Sequence, residues 1–443
     1  MTQKKQNGNI VAIIMMIALF GMIGFVTNIA APAGTIWMSK YEGSNAIGML
    51  GNLMNFLAYL VMGIPAGLLL QKIGYKKTAL TAIIVGFFGL SIQFVSGKFT
   101  GDTGLVIYLL GAFVAGFSMC MLNTVVNPML NEIGGGGKKG GMLLQIGGSL
   151  NSLLGTVAPV FVGALIGKVV TEKMYAECIE KGLDACAPVT VFSDINMVLY
   201  IAMAIFAVVG IVLALVAIPE PEVENKTAVA KSPWKYRHFV LGSIGIFIYV
   251  GIEVGIPGTM KFFLENLKEG ALDPSEAGTV AATYWFLMLI GRLSGAGIAA
   301  KVSSRNLLTA VSSIAIILIG TAMLLPSSIM VSMPVFSDFH FDLQTVPISA
   351  LLFVLAGLCT SVMWGGIFNL AVEGLGASVK QASGIFMMMV VGGGILPLLQ
   401  NGIVDITGNN YMISYLLPLA GLAYLLFYAL IGSKNANKDI SVD

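Results

Sequence analysis

The chain has 443 residues, 57% of them hydrophobic and only 10% charged, with a formal net charge of +2. A soluble domain carries about a quarter of its residues as charges, so this chain lacks the polar shell that water requires, and its outer surface is expected to face lipid. The near-balanced charge gives no reason to expect a nucleic-acid partner. Its only histidines are His238 and His340, and no C-x-x-C pair occurs, which argues against a metal, a haem or another cofactor and against membrane-embedded catalysis.

Lys4 and Lys5 precede an apolar run that begins at Ile10 and continues past Ala30 without a small-residue cleavage site. That run reads as a first membrane span and not as a cleaved leader. A bilayer core about 30 Å thick takes roughly 20 apolar residues per helix. Segments of that order fall near 10–33, 45–70, 78–96, 104–130, 141–167 and 195–218, then near 238–264, 277–299, 306–326, 347–372, 382–402 and 411–432. Between the two sets, Pro219, Glu220, Pro221 and Glu222 open a polar stretch that runs through Arg237. The expected fold is therefore all-α and membrane-embedded, with twelve transmembrane helices: a six-helix bundle over 1–218, a cytoplasmic linker over 219–237 and a second bundle over 238–443. Most Lys and Arg fall on segments that share a side with both termini, which places the termini in the cytoplasm.

That topology puts Cys178 and Cys186 in an outer loop, where a disulfide could persist; two unpaired thiols are the alternative. Cys120 and Cys359 lie inside apolar runs and read as packing residues. The acidic residues of the same loop (Glu172, Glu177, Glu180 and Asp184) alternate with Lys173 and Lys181 and read as solvated surface. The glycine run from Gly134 to Gly137 precedes Lys138 but lacks the spacing of a phosphate-binding loop.

The two halves echo one another. Glu132-Ile133-Gly134, a basic turn and Pro159 in the first half parallel Glu373-Gly374-Leu375-Gly376, Lys380 and Pro397 in the second. Repeated six-helix halves are the layout in which a substrate binds near the bilayer midplane between them. Polar groups inside such spans need partners, so Asn28, Asn52, Asn55, Asn123, Asn127, Asn151 and Asn369 are expected to face the bundle interior, as helix–helix glue or as substrate contacts. Glu253 is an acid at mid-membrane depth, a functional candidate by default, with a structural acid bonded to a neighbouring helix as the alternative.

Several ordered motifs carry a family resemblance. Gly63-Ile64-Pro65-Ala66-Gly67, followed by Gln71, Gly74, Lys76 and Lys77, resembles the helix 2–3 loop signature of the major facilitator superfamily, with Gln71 where that signature usually has Asp. Leu122-Asn123-Thr124 with Asn127-Pro128 resembles L-E-T-A-A-N-P, and Asn151-Ser152 with Gly155 resembles N-S-x-G. Tyr249-Val250-Gly251 with Glu253 resembles Y-V-G-A-E; Tyr284-Trp285 with Gly291-Arg292 resembles Y-W…G-R; Ser361 through Asn369 resembles S-I-M-F-P-T-I-F-S; and Gly392 through Pro397 with Asp405 resembles G-G-A-I-L-P…D. The set spans nearly the whole chain and resembles the fucose–proton symporter family, which also holds glucose/galactose permeases.

The resemblance implies uptake of a sugar across the bacterial inner membrane by alternating access, usually coupled to protons. Two carboxylates serve that coupling in the family, and here both positions are amides, Asn28 and Asn123. The helix 5 glutamine of the family is Gly148, and Gln145 one turn earlier is a substitute amide. An amide bonds sugar hydroxyls but cannot carry a proton. Coupling therefore passes through Glu253, uses sodium in place of protons, or is absent, as in a uniporter. The expected substrate contacts are Asn28, Asn52, Asn123, Asn127, Gln145, Asn151, Glu253, Tyr284, Trp285, Trp364 and Asn369, with Phe368 as a further ring; Gly67, Gly74, Lys76, Lys77 and Arg292 belong to the cytoplasmic gate.

The expected substrate is a neutral hexose, deoxyhexose or amino sugar. Trp364-Gly365-Gly366 removes the proline bend of the family's helix 10, which also leaves a disaccharide or cell-wall fragment open. An organic-anion carrier would need a cation in the cavity, and counting along helix 8 places Arg292 toward one end. A sugar sensor would carry a long tail, which the short polar stretch after the last helix does not provide. The chain is expected to act as a monomer.

Overall fold

The computed structural model describes residues 2–41, 44–99, 101–133, 137–166, 170, 172–181, 186–216, 218, 232–299, 302–337, 340–375 and 379–434. The expected linker falls on 219–231, outside the described residues, and only its last turn before Arg237 is seen. Among the described residues twelve long helices make two six-helix halves, and a short helix, Glu172–Glu180, lies between the fifth and sixth. In the first, α1 is Thr2–Asn28 continued by Ala30–Lys40, α2 is Leu50–Leu70 entered through the turn Asn45–Gly48, α3 is Lys72–Ser96, α4 is Gly101–Ile133, α5 is Gly137–Ile166 and α6 is Phe192–Leu215. In the second, α7 is Arg237–Glu265, α8 is Pro274–Ala299, α9 is Ser304–Leu324, α10 is Ile348–Val372, α11 is Val379–Met389 continued by Gly392–Ile406, and α12 is Tyr411–Gly432.

Ten of these are long and apolar enough to cross a bilayer on composition alone. The remaining two, α5 and α8, pack against one another across the two halves. A backbone in lipid must satisfy its own hydrogen bonds, which selects helices for every span. Outward apolar side chains such as Leu215 and Leu324, both more than four-fifths exposed, form the lipid-facing belt.

Among the described residues three spans are interrupted well inside their length, and α12 also breaks at Tyr415, close to its start. The first break follows from sequence: Pro32 has no N–H to give the Asn28 carbonyl four residues earlier. The helix ends at Asn28, whose Nδ2 donates to the Gly24 carbonyl at 2.8 Å. In α10 the break falls at Ser361 and Val362, so the helix is interrupted even with Gly365 and Gly366 where the family has a proline. In α11 it falls at Val390 and Val391, just before three glycines. Interrupted helices near mid-depth are where transporters place their sites.

Between α9 and α10 lies an antiparallel hairpin, β1 (Met330–Ser337) with β2 (His340–Pro347), in the register Met330↔Pro347 through Ser337↔His340. Met333, Val335 and Val346 are buried beneath it, and this hairpin was absent from the expected element list. At the same end, Cys178 and Cys186 are joined, and the Thr190 N–H and hydroxyl tie that loop back to Val170. This end is called the disulfide end below, and the opposite one the basic end.

The gate motif is divided in its use. Gly74 has φ +80° and turns α2 into α3, a conformation L side chains rarely adopt. Lys76 donates to the Ala214 and Val216 carbonyls at 2.9 and 2.7 Å, closing the free end of α6 within the first half. Lys77 is exposed. Gly67 does not sit at a close helix approach, since a Cβ there would meet open space; Gly63 does, against Met388 and the Gly384 carbonyl of α11. Gly392 is tighter still, because an added Cβ would collide with the Phe247 carbonyl of α7. Gly392→Ala is therefore expected to cost about 1–3 kcal/mol of overpacking, while Gly67→Ala stays within about 0.5 kcal/mol. Thermal unfolding of the purified variants in detergent checks both, and equal melting temperatures would refute the assignment.

Candidate functional site

Glu253 stands about 24 Å along α7 from Arg237, near the middle of a 29-residue helix. Arg292 sits much nearer the basic end of α8, but a helical side chain leans toward its helix N-terminus. For α8 that direction is the disulfide end, so the guanidinium climbs back toward mid-depth. Its Nη2 donates to Glu253 Oε1 at 3.0 Å, and Nη1 donates to the Gly148 carbonyl at 2.8 Å and to Ser152 Oγ at 2.9 Å. The ion pair is largely buried, with side chains 15% and 12% exposed. Arg292 thus pairs with an acid and a backbone carbonyl, and it bridges α5 of the first half to α7 and α8 of the second.

Desolvating two charges costs more than their attraction returns unless the remaining donors and lone pairs are also satisfied. The Gly148 carbonyl is available because the residue has no side chain. A Cβ there would already lie 3.5 Å from Arg292 Nη1, so a long side chain would compete with the guanidinium for the same space. The departure from the family's glutamine at this position and the depth of Arg292 are thus one feature. Ser152 follows four residues later on the same helix face. One turn further along, a Cβ on Gly155 would touch Asn28 Nδ2, so the stripe of α5 facing the second half also carries the α1 amide.

Tyr249 lies one turn before Glu253 on α7, fully buried, with its hydroxyl facing that carboxylate but making no hydrogen bond of ordinary geometry. Trp364 of α10, half-buried, stands 6.2 Å from the Tyr249 ring. Tyr249 and Ser152 were missed as candidates. Their signal was helical spacing, since each sits four residues from a residue already in question, Glu253 and Gly148.

Other candidates are brought elsewhere. Asn151 donates to the Phe20 carbonyl at 3.0 Å and holds α5 to α1. Asn123 donates to Tyr59 Oη at 2.8 Å and to the Met119 carbonyl, and Asn127 donates to the Asn123 carbonyl at 2.8 Å. Asn52 crosses the halves to the Gly393 carbonyl at 2.7 Å. The Tyr284 hydroxyl is fully buried against Thr360 Oγ1 at 2.8 Å, with Trp285 edge-on to its ring. Phe368 packs on Phe386 of α11, and Asn369 is exposed. The side chain of Gln145 lies outside the described set. Among the described residues, no three His, Cys, Asp or Glu come together as a metal site would need.

The arrangement is a neutral, hydrogen-bonding centre between two similar helical halves. Residues 13–397 match the family model described as Major Facilitator Superfamily. The glucose/galactose transporter of Brucella abortus is 29% identical over 432 residues, covering 96% of this chain and 94% of its own. The L-fucose-proton symporter of Escherichia coli is 23% identical over 408 residues, covering 86% and 84%. The crystal structure of the transporter FucP in the outward conformation superposes with a TM-score of 0.69 at 19% identity, covering 97% of this chain and all of that one. The chain is a multi-pass membrane protein and belongs to the major facilitator superfamily.

Proposed function

We propose that this protein imports a neutral sugar by alternating access, seating it between the halves beside the Glu253–Arg292 pair. The observation that carries the reading is that pair itself: the two charges cancel, so the centre offers directional donors and acceptors without a net charge that would favour an anion or a cation. Around it, Asn28, Ser152 and the unpartnered Tyr249 hydroxyl are groups a sugar hydroxyl satisfies. The half-buried Trp364 ring supplies a flat apolar face. Names of relatives over nearly the whole chain, glucose/galactose and L-fucose transporters, support a hexose or deoxyhexose as the substrate class.

The coupling ion on this reading is a proton, and Glu253 carries it. The family's two carboxylate positions are Asn28 and Asn123, which leaves Glu253 as the acid at the centre. When Glu253 takes a proton its charge disappears, and the guanidinium loses the partner that holds it toward α7. The bridge to α5 then weakens and the halves are freed to rock. The protein sits in the cytoplasmic membrane of a bacterium with the disulfide end outward and both termini inside, and it works as a monomer.

Uptake of labelled glucose, galactose and fucose into proteoliposomes is the direct test. A proton gradient is expected to drive accumulation, and Glu253→Gln to abolish accumulation while leaving sugar-for-sugar exchange. Accumulation driven by sodium alone, or simple equilibration unchanged in Glu253→Gln, would overturn the proton role. Stability gives an independent check on the pair. Arg292→Gln alone leaves a buried unpaired carboxylate and is expected to cost about 3–5 kcal/mol. Adding Glu253→Gln to it should recover most of that loss in a thermal unfolding series, and additive losses would show that the two side chains do not depend on one another.

A further inference from the structure

At the disulfide end, the carboxylate of Asp405 closes a second contact between the halves. Asp405 lies in the last turn of α11, where a negative charge opposes the carbonyl end of its own helix. It faces instead the beginning of α2, whose free N–H groups favour an anion. Oδ1 accepts from the Asn45 backbone N–H at 3.1 Å and from Asn45 Nδ2 at 2.9 Å; Oδ2 accepts from the Ala46 N–H at 3.1 Å and from Ser44 Oγ at 3.0 Å. Asn45 is completely buried, and its Oδ1 accepts from the Tyr411 hydroxyl of α12 at 2.8 Å. One carboxylate therefore takes four hydrogen bonds from three consecutive residues of the other half. Nearby, Met49 packs over Gly258 of α7 and Gly48 over Phe262, so the start of α2 is pressed against α7 as well as α11.

We propose that Asp405 is the latch of the entrance at the disulfide end: its hold on residues 44–46 sets how often the halves part there, and so positions the transporter between closed and open states. The inference rests on the alternating-access reading, in which this end must open. It assigns to Asp405 a part in opening and none in binding sugar. Shape and charge are separable, because Asp405→Asn keeps the side-chain volume while losing the charge and half of the acceptor capacity.

The test reads opening without using any substrate. Met49→Cys places a thiol in the buried contact between α2 and α7; the other cysteines are bridged (Cys178, Cys186) or buried (Cys120, Cys359). Labelling of intact cells by a membrane-impermeant maleimide is expected to be at least about ten-fold faster in Asp405→Asn than in the Met49→Cys parent. Ser44→Ala, a milder variant, should give a smaller increase in the same direction. Asn45→Asp sets two carboxylates together and should also speed labelling, and combining it with Asp405→Asn should slow it again. A labelling rate unchanged in Asp405→Asn overturns the latch, even where sugar uptake proceeds. Faster labelling in a protein that moves no sugar would uphold the latch and sink the sugar reading. If Asp405→Asn fails to fold, the Ser44→Ala rate decides alone, and no increase there refutes the proposal.

Discussion

A guanidinium buried between two halves of a membrane protein constrains everything near it. Arg292 carries five donors on one planar cation, so every low-dielectric position it occupies must supply acceptors. Those acceptors fix the local sequence: a residue without a side chain at Gly148 to expose a carbonyl, a hydroxyl one turn on at Ser152, and a carboxylate across the interface at Glu253. They also fix the relation of the halves, since two of the three acceptors belong to the first half and the third to the second. Within each half, extensive apolar packing is joined by hydrogen bonds such as Asn151 to the Phe20 carbonyl and Tyr284 to Thr360. Links between the halves are polar and directional at mid-depth through Arg292, at Asn52 and Gly393, and at the disulfide end through Asp405. Such links have alternative partners in water or substrate hydroxyls, which lets an interface have two discrete arrangements in place of a continuum.

The fold was legible because lipid leaves few choices. Span length and apolar content decide the helices, and the boundaries of 306–326 and 411–432 fall within a few residues of Ser304–Leu324 and Tyr411–Gly432. The interruption in α1 was also written in the sequence, as Pro32 four residues after Asn28. The one in α10 was misread, because a missing proline was taken to mean a missing bend. The hairpin over 330–347 escaped for a different reason. Its inward residues, half-buried Val331 and buried Met333 and Val335, do alternate, but Phe341 and Leu343 on its other face are apolar and exposed, so period-two contrast is blurred.

Much less of the site could be read. An acid inside an apolar span announces itself, and Glu253 was singled out on that ground. An amide does not announce which of its two uses applies. Asn151 and Asn28 lie in equally apolar surroundings, yet Asn151 spends its donor on the Phe20 carbonyl of a neighbouring helix, while Asn28 bonds within its own helix and faces the α5 stripe. The difference is set by which backbone happens to pass, a tertiary fact. Counting along α8 locates the Arg292 Cα and not the long stem that carries the charge to Glu253. The direction of that stem was available in principle, since α8 runs from the disulfide end to the basic end and its side chains lean back along it.

The paired amides have an energetic consequence for transport. Were Asn28 an acid, the α5 stripe would bring a second carboxylate toward the one guanidinium, and the repulsion between the two acids would demand a further proton or cation. As it stands, Glu253 and Arg292 cancel, and Glu253 is the single carboxylate beside the guanidinium among the described residues. On the proton-coupled reading, one acid carries one proton per sugar. One elementary charge moving through 100 mV of membrane potential releases about 2.3 kcal/mol, which sustains a sugar gradient of about fifty-fold at 1.36 kcal/mol per decade. A second coupling acid would square that ratio. On the same reading, one acid neutralised by an arginine would limit the gradient but would keep the empty carrier free of net charge at its centre, so its return across the membrane field would not be slowed by an uncompensated buried ion.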